Sequence, residues 1–140
     1  MSSAYHIDPE HNLVLVRPAG RFTETAFIQL CRTIYDDPDR RPHFSSIWDA
    51  RAIDELVMDA EVIPMYRAFL AENADRVTQG QVAIVTDREI ATTFASMLIQ
   101  VGKNRVGAYE IFSSLASAAA WMGVPPEALS NPPAPRRVGA

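Results

Sequence analysis

Ser45-Ser46-Ile47-Trp48-Asp49-Ala50-Arg51 is a β-rich run that breaks into a polar loop ahead of a helical pattern. The β-rich stretch itself, Phe44 to Asp49, is too short to be a helix with a face of its own. The same arrangement recurs around Leu13 to Val16, Gln81 to Val85 and Val106 to Phe112. Each of these runs ends in a polar loop that opens a helix. Strands alternating with helical patterns predict an α/β fold: a four-turn (βα) layer around a mostly parallel sheet. In such a sheet the loops after the strands gather on one edge, and ligands bind there.

Downstream of that run, residues 50–59 are polar and read as connection. Met65, Tyr66, Phe69 and Leu70 recur at helical spacing, and Pro64 suits a first turn, so this helix starts between Asp59 and Ile63. Gln81 to Val85, bounded by Gly80 and Thr86-Asp87, is the clearest core strand. Asp87 reads as the N-cap of a helix with Ile90, Phe94, Met97, Leu98 and Val101 on one face, closed by Gly102 at a positive φ. Ser113 or Ser114 caps the last helix, which runs through Ala118-Ala119-Ala120 to Met122 and closes at Gly123.

Upstream, Tyr5 to Ile7 and Leu13 to Arg17 flank Asp8-Pro9-Glu10-His11-Asn12, where Pro fixes φ and Asp and Asn bond their own backbone. This predicts an N-terminal antiparallel hairpin at a sheet edge, stopped by Pro18 and Gly20. Thr23 is a suitable N-cap for a helix carrying Phe27, Leu30, Cys31 and Ile34, which fails at Asp36-Asp37-Pro38. The reading divides the chain into a domain over residues 1–124 and a tail over 125–140. The tail holds five of the ten prolines and too few large apolar residues to fold alone, so it needs its own domain or a neighbouring chain to order it.

At 140 residues with 48% hydrophobic and 21% charged side chains, the chain is long enough for a core without staples. Its net charge is −4, and Arg40-Arg41 and Arg136-Arg137 are isolated basic pairs. Binding to nucleic acid or to an anionic membrane needs clustered cations, so both are disfavoured as partners. One cysteine, Cys31, excludes an internal disulfide. The N-terminal residues lack the pattern of a signal peptide, and no apolar stretch is long enough for a transmembrane segment. A cytoplasmic location is the expectation.

Ile7-Asp8-Pro9 with Leu13-Val14-Leu15-Val16, Gly20-Arg21-Phe22-Thr23, Ile47-Trp48-Asp49-Ala50-Arg51, Val82-Ala83-Ile84-Val85, and Ile111-Phe112 leading to Ala120-Trp121-Met122-Gly123 carry a family likeness. Across roughly residues 5–123 the chain resembles the SpoIIAA-like group, relatives of the STAS domains of bacterial anti-sigma-factor antagonists. The resemblance implies a non-enzymatic regulatory or protein-interaction role, with a protein partner or self-association as a dimer. In the antagonists an Asp-Ser pair opens the second helix and its serine is phosphorylated. Here Asp59-Ala60 stands at that place, and alanine has no hydroxyl. The resemblance therefore points to the uncharacterised branch lacking the phospho-serine. It also points to fold kinship with lipid-carrying CRAL-TRIO domains, which implies the alternative role of a carrier or sensor of a small apolar ligand or lipid.

The topology brings Arg21, Asp49, Arg51, Asp87, Arg88 and Ser113 toward the edge after the strands, as a candidate partner or ligand surface. The plainer reading makes Asp49–Arg51 a pair that orders its loop and Asp87 and Ser113-Ser114 helix caps. No G-x-S-x-G elbow supports a serine nucleophile, and no glycine-rich phosphate loop is present, so no catalytic residue and no cofactor is assigned. His6, His11 and His43 with Asp8 and Glu10 match no metal-ligand spacing, so no metal is assigned either. Cys31 on an apolar helical face reads as a buried thiol. Met58, Met65, Phe69, Phe94 and Met97 read as core, or as the lining of an apolar pocket. An apolar cavity would favour a carrier, a flat exposed apolar patch an interaction domain, and a serine within reach of a base a hydrolase.

Overall fold

The structure, a computed structural model, describes residues 2–130 and 135–138. In chain order the strands are β1 (Ser3–Asp8), β2 (Leu13–Arg17), β3 (Gly20–Thr23), β4 (Ser45–Asp49), β5 (Ile53–Val57), β6 (Gln81–Val85), β7 (Ala108–Phe112) and β8 (Arg136–Val138). The helices are α1 (Glu24–Asp36), α2 (Val62–Glu72), α3 (Glu89–Gly102), α4 (Leu115–Met122) and the short α5 (Glu127–Ser130). The main sheet has the order β7-β6-β4-β2-β1-β8. Strands β2, β4, β6 and β7 run parallel, while β1 is antiparallel to both of its neighbours. All four runs expected in one parallel sheet lie in it, and Val82–Val85 is an interior strand.

Alternation along the strands splits the core in two. Val14, Val16 and Val82 face α1, α2 and α3, where they meet Phe27, Leu30, Ile34, Tyr66, Phe69 and Leu70. Leu13, Leu15, Ile47, Ala83 and Val85 face the other way, against Ala118 and Ala119 of α4 and Leu129 of α5. Burial on both faces explains why these strands read as continuous apolar runs rather than as alternating ones.

Local signals set most of the boundaries. Thr23 Oγ1 accepts from the Ala26 amide at 3.1 Å and opens α1. Ser114 does the same for α4 through Ser117, and Gly123, at φ +70°, closes that helix in the left-handed region. Two expectations about α3 are corrected. Arg88, not Asp87, is its N-cap residue, because Thr86 Oγ1 takes the Arg88 amide at 3.2 Å in a local turn. Gly102 is the last residue of α3 and has no positive φ. Its role is spatial: a Cβ there would overlap the hydroxyl of Tyr109.

Three strands, β3, β5 and β8, lie where none was expected. β3 and β5 form a separate two-stranded parallel sheet, so Gly20 begins a strand after the stop at Pro18, and the polar stretch after Arg51 contains a 3-10 turn (Ala50–Ala52) and then β5. The N-terminal hairpin is present in register from Ala4–Arg17 to Asp8–Leu13, but β8 lies outside it and takes the sheet's end. Residues 125–140, read as a tail, thus contribute a helix and a strand. Leu129 is 1% exposed, its carbonyl accepts from Arg17 Nη2 at 2.8 Å, and Arg136 pairs with Asp37 and Asp39. Pro132 and Pro133 lie outside the described residues.

Candidate functional site

The edge after the parallel strands is held together by internal contacts. Asp49, at the end of β4, is buried, and both of its carboxylate oxygens are taken by Arg51, with Nε to Oδ1 at 2.8 Å and Nη2 to Oδ2 at 2.9 Å. Asp49 also accepts from the Arg51 amide, which caps the 3-10 turn. Burial works against its charge, yet the side-chain and backbone hydrogen bonds and the charge of Arg51 outweigh that, and its pKa lies below the ordinary value. Arg88 donates to the carbonyls of Ile53 and Arg51 and lies beside Asp87. Arg21 pairs with Glu55 across β3 and β5, with both side chains mostly exposed. Ser113 is exposed after β7, and the Thr86 amide donates to the neighbouring Phe112 carbonyl. Asp49, Arg51, Asp87 and Arg88 are therefore brought together, whereas Arg21 and Ser113 flank that group. The group's strongest contacts are with itself.

A second site opens between the sheet and α1, α2 and α3. A cavity of about 120 Å³ is lined by Val14, Val16, Phe27, Trp48, Phe69 and Leu98, among others. β-strand alternation positions its floor, since Ser46 and Trp48 of β4 stand beside Val82 and Ile84 of β6. Small residues of α3, Ala91 and Ala95, form part of the opposite wall. Of the five side chains considered for a pocket, Met58, Phe69 and Phe94 line it and Met65 and Met97 do not.

Polar groups in this cavity are few and specific. The Tyr66 hydroxyl from α2 and the Tyr109 hydroxyl from β7 lie 2.6 Å apart. Burial raises the pKa of both, so the pair is protonated and neutral around pH 7. Arg40 is buried, stacks over the Tyr35 ring at 3.8 Å, and donates to the Arg76 carbonyl at 2.7 Å and to Thr78 Oγ1 at 2.9 Å. Desolvation lowers its pKa. The Cys31 thiol also lines the space, and burial pushes its pKa up, which leaves it a poor nucleophile. The sequence reading placed Tyr66 in a helical stripe and Tyr109 in a strand, but did not bring them together. The available signal was an aromatic hydroxyl on an apolar face of each element.

Elsewhere, the ligating atoms of Asp8, Glu10 and His11 lie within 4.8 Å of one another at the β1–β2 turn. His11 Nδ1 is already engaged by Asp8 at 2.7 Å, and that hydrogen bond raises the imidazole pKa. Ser114 Oγ is engaged by Ser117 at α4. Asp59 accepts from the Glu61 amide at 2.8 Å just before α2, so Ala60 sits in the turn that opens that helix. Among the described residues, no helix is long and apolar enough to cross a membrane.

No protein-family model matches the chain, and no curated protein matches it. Among solved structures it is similar to an uncharacterised protein of the DUF3478 family from Shewanella loihica PV-4, described as having a SpoIIAA-like fold. The identity is 14% and the TM-score 0.56, over 86% of this chain and 94% of that one. The element order, the mostly parallel sheet and this likeness together show a SpoIIAA-like fold.

Proposed function

We propose that this protein binds a small apolar molecule in the cavity between its sheet and α1–α3, as a carrier or sensor rather than as a catalyst. The cavity itself carries the reading: about 120 Å³ lined mainly by aromatic and aliphatic side chains. An apolar cavity of about 150 Å³ is enough to hold a benzene-sized molecule. Two further observations weigh against a purely surface-mediated role. Among the described residues Ile90 is the large hydrophobic side chain that stands mostly in solvent, while Phe94, Leu98 and Val101 of the same helix are partly buried against the core. At the polar edge, Asp49 and Arg51 are occupied with each other.

Ala95 tests the reading because its methyl group stands in the cavity wall and is buried. Methyl-resolved NMR of the protein titrated with methylenecyclohexane, a small apolar probe of seven carbons, should show saturable shifts at Val14, Val16, Val82 and Leu98. Ala95→Leu fills the space and should abolish them. Shifts confined to residues outside the cavity, or saturable binding retained by Ala95→Leu, would refute the proposal.

A further inference from the structure

The proton count at the two tyrosines constrains what the cavity accepts. Two hydroxyls carry two protons. In the 2.6 Å contact between Tyr66 and Tyr109 one proton lies between the oxygens, whichever residue donates it. The other hydroxyl proton has no acceptor among the described residues, since each hydroxyl makes that one hydrogen bond. Tyr66 is 9% exposed and Tyr109 is half-buried, and both residues line the cavity. A buried donor without an acceptor is destabilising, and most such groups in folded proteins find a partner. Here the space beside the pair is where that partner would sit.

Position reinforces the count. Tyr109 stands opposite Val82, near the start of the parallel strands, while Ile84 and Trp48 lie further along them and are wholly or mainly apolar. Arg40, Tyr35 and Thr78 also approach the cavity from the segments that precede β4 and β6. Most of the oxygen and nitrogen atoms therefore collect at one end, and the rest of the wall is mainly apolar, with the Trp48 indole as its polar exception. A ligand with a single polar atom at one end of an apolar body matches that division.

Resting on the cavity reading above, we infer that the ligand is a small apolar molecule carrying one neutral acceptor oxygen, such as a ketone, held by the surplus hydroxyl proton of the Tyr66–Tyr109 pair. Arg40 offers the rival recognition, of a carboxylate. Its guanidinium, however, already donates to the Arg76 carbonyl and Thr78 and is stacked on Tyr35. Burying a second charge in this wall would also require desolvating the incoming anion. The hydroxyl pair needs neither.

Cyclohexanone and methylenecyclohexane are nearly isosteric and differ in whether an acceptor oxygen is present. Both would be titrated into the wild-type protein and into the Tyr66→Phe/Tyr109→Phe double variant by methyl-resolved NMR, with cyclohexanecarboxylate as the charged arm. A single phenylalanine leaves one free hydroxyl proton, so the double variant is the decisive one. Its melting transition verifies that it is folded. The ketone should bind the wild type about threefold to tenfold more tightly than the hydrocarbon, the range of one net hydrogen bond. That preference should be lost and reverse in the double variant, where the ketone oxygen would be desolvated without a donor. Equal binding of the two probes by the wild type, or a ketone preference that survives in the double variant, would overturn the inference while leaving the cavity reading intact. Tighter binding of the carboxylate than of the ketone would overturn it in favour of charge recognition at Arg40. Failure of both neutral probes to bind would overturn the cavity reading and the inference with it.

Discussion

Replacing Arg51 with alanine separates an ordering role from a binding role at the polar edge. In the folded protein the Asp49 side chain is 9% exposed and receives two bonds from the Arg51 guanidinium and one from the Arg51 amide. The variant keeps only the amide bond. Hydrogen bonds to a charged group contribute about 1.5–3 kcal/mol, and breaking a fully buried pair costs about 3–5 kcal/mol. The Arg51 side chain is 41% exposed, so solvent softens the loss. The expected destabilisation is about 1.5–3 kcal/mol, read by urea unfolding at pH 7. The pH dependence follows from Asp49, whose pKa is depressed in the folded state. Its contribution is present above the unfolded carboxylate value of about 3.9 and is lost as pH falls through the lower folded value. The gap between wild type and variant should therefore be full at pH 7 and shrink below about pH 4. A change under about 0.5 kcal/mol at pH 7, or a gap that does not shrink in acid, would refute the ordering role and leave Arg51 free to meet a partner.

The tyrosine pair predicts non-additive stability: Tyr66→Phe or Tyr109→Phe alone should cost about 1–3 kcal/mol by stranding the other hydroxyl, and the double variant less than the sum, as measured by a denaturation cycle. Additive losses would show that the two hydroxyls do not depend on each other. Leu129 is 1% exposed against Leu13, Leu15 and Ile47, so Leu129→Ala should lower stability by about 2–5 kcal/mol in urea unfolding. A loss within the range of a surface substitution would mean that the C-terminal segment is not part of the folded unit.

The parallel strands were legible because burial on both faces writes them as uninterrupted apolar runs: Leu13 to Val16 and Val82 to Val85 have no other reading. Caps were legible where the side chain itself makes the bond, as at Thr23 and Ser114. Asp87 failed because Thr86, one residue earlier, forms the competing turn. Gly102 failed because glycine serves two purposes, and here the need for space under Tyr109 governs rather than backbone freedom. β5 was hidden because Asp54 and Glu55 are exposed, so Ile53-Asp54-Glu55-Leu56-Val57 shows no alternation. β8 was hidden because Arg136-Arg137-Val138 is short and draws its order from β1 and from Asp37 and Asp39. At the edge, sequence placed Asp49 beside Arg51 but could not show that each occupies the other. The cavity was legible only in part: of the five side chains read as core or as a pocket lining, Met58, Phe69 and Phe94 line it and Met65 and Met97 do not. It arises from the distance between elements far apart in the chain, and no local pattern records a space.

That space bears on why the core is built as it is. Empty volume sealed in a core costs about 24 cal/mol per Å³, so a space of about 120 Å³ that opens partly to solvent costs at most about 3 kcal/mol. That upper bound is a large fraction of an ordinary domain's stability. The sequence has a simple means of avoiding it, because Ala91 and Ala95 place the smallest apolar side chains on the wall of α3, a helix in which only Ala95 and Gly102 are buried. A helix with that freedom could carry leucine at Ala95. Ala95→Leu, the variant expected to lose the apolar probe, should therefore raise the unliganded protein's stability by about 0.5–2 kcal/mol, as other cavity-filling substitutions do. Gain of stability with loss of binding would mean that the space is maintained against folding, which is the signature of a site. A fall in stability would mean that Ala95 is tightly packed and the cavity is a residue of imperfect packing, and the binding proposal would lose its physical basis.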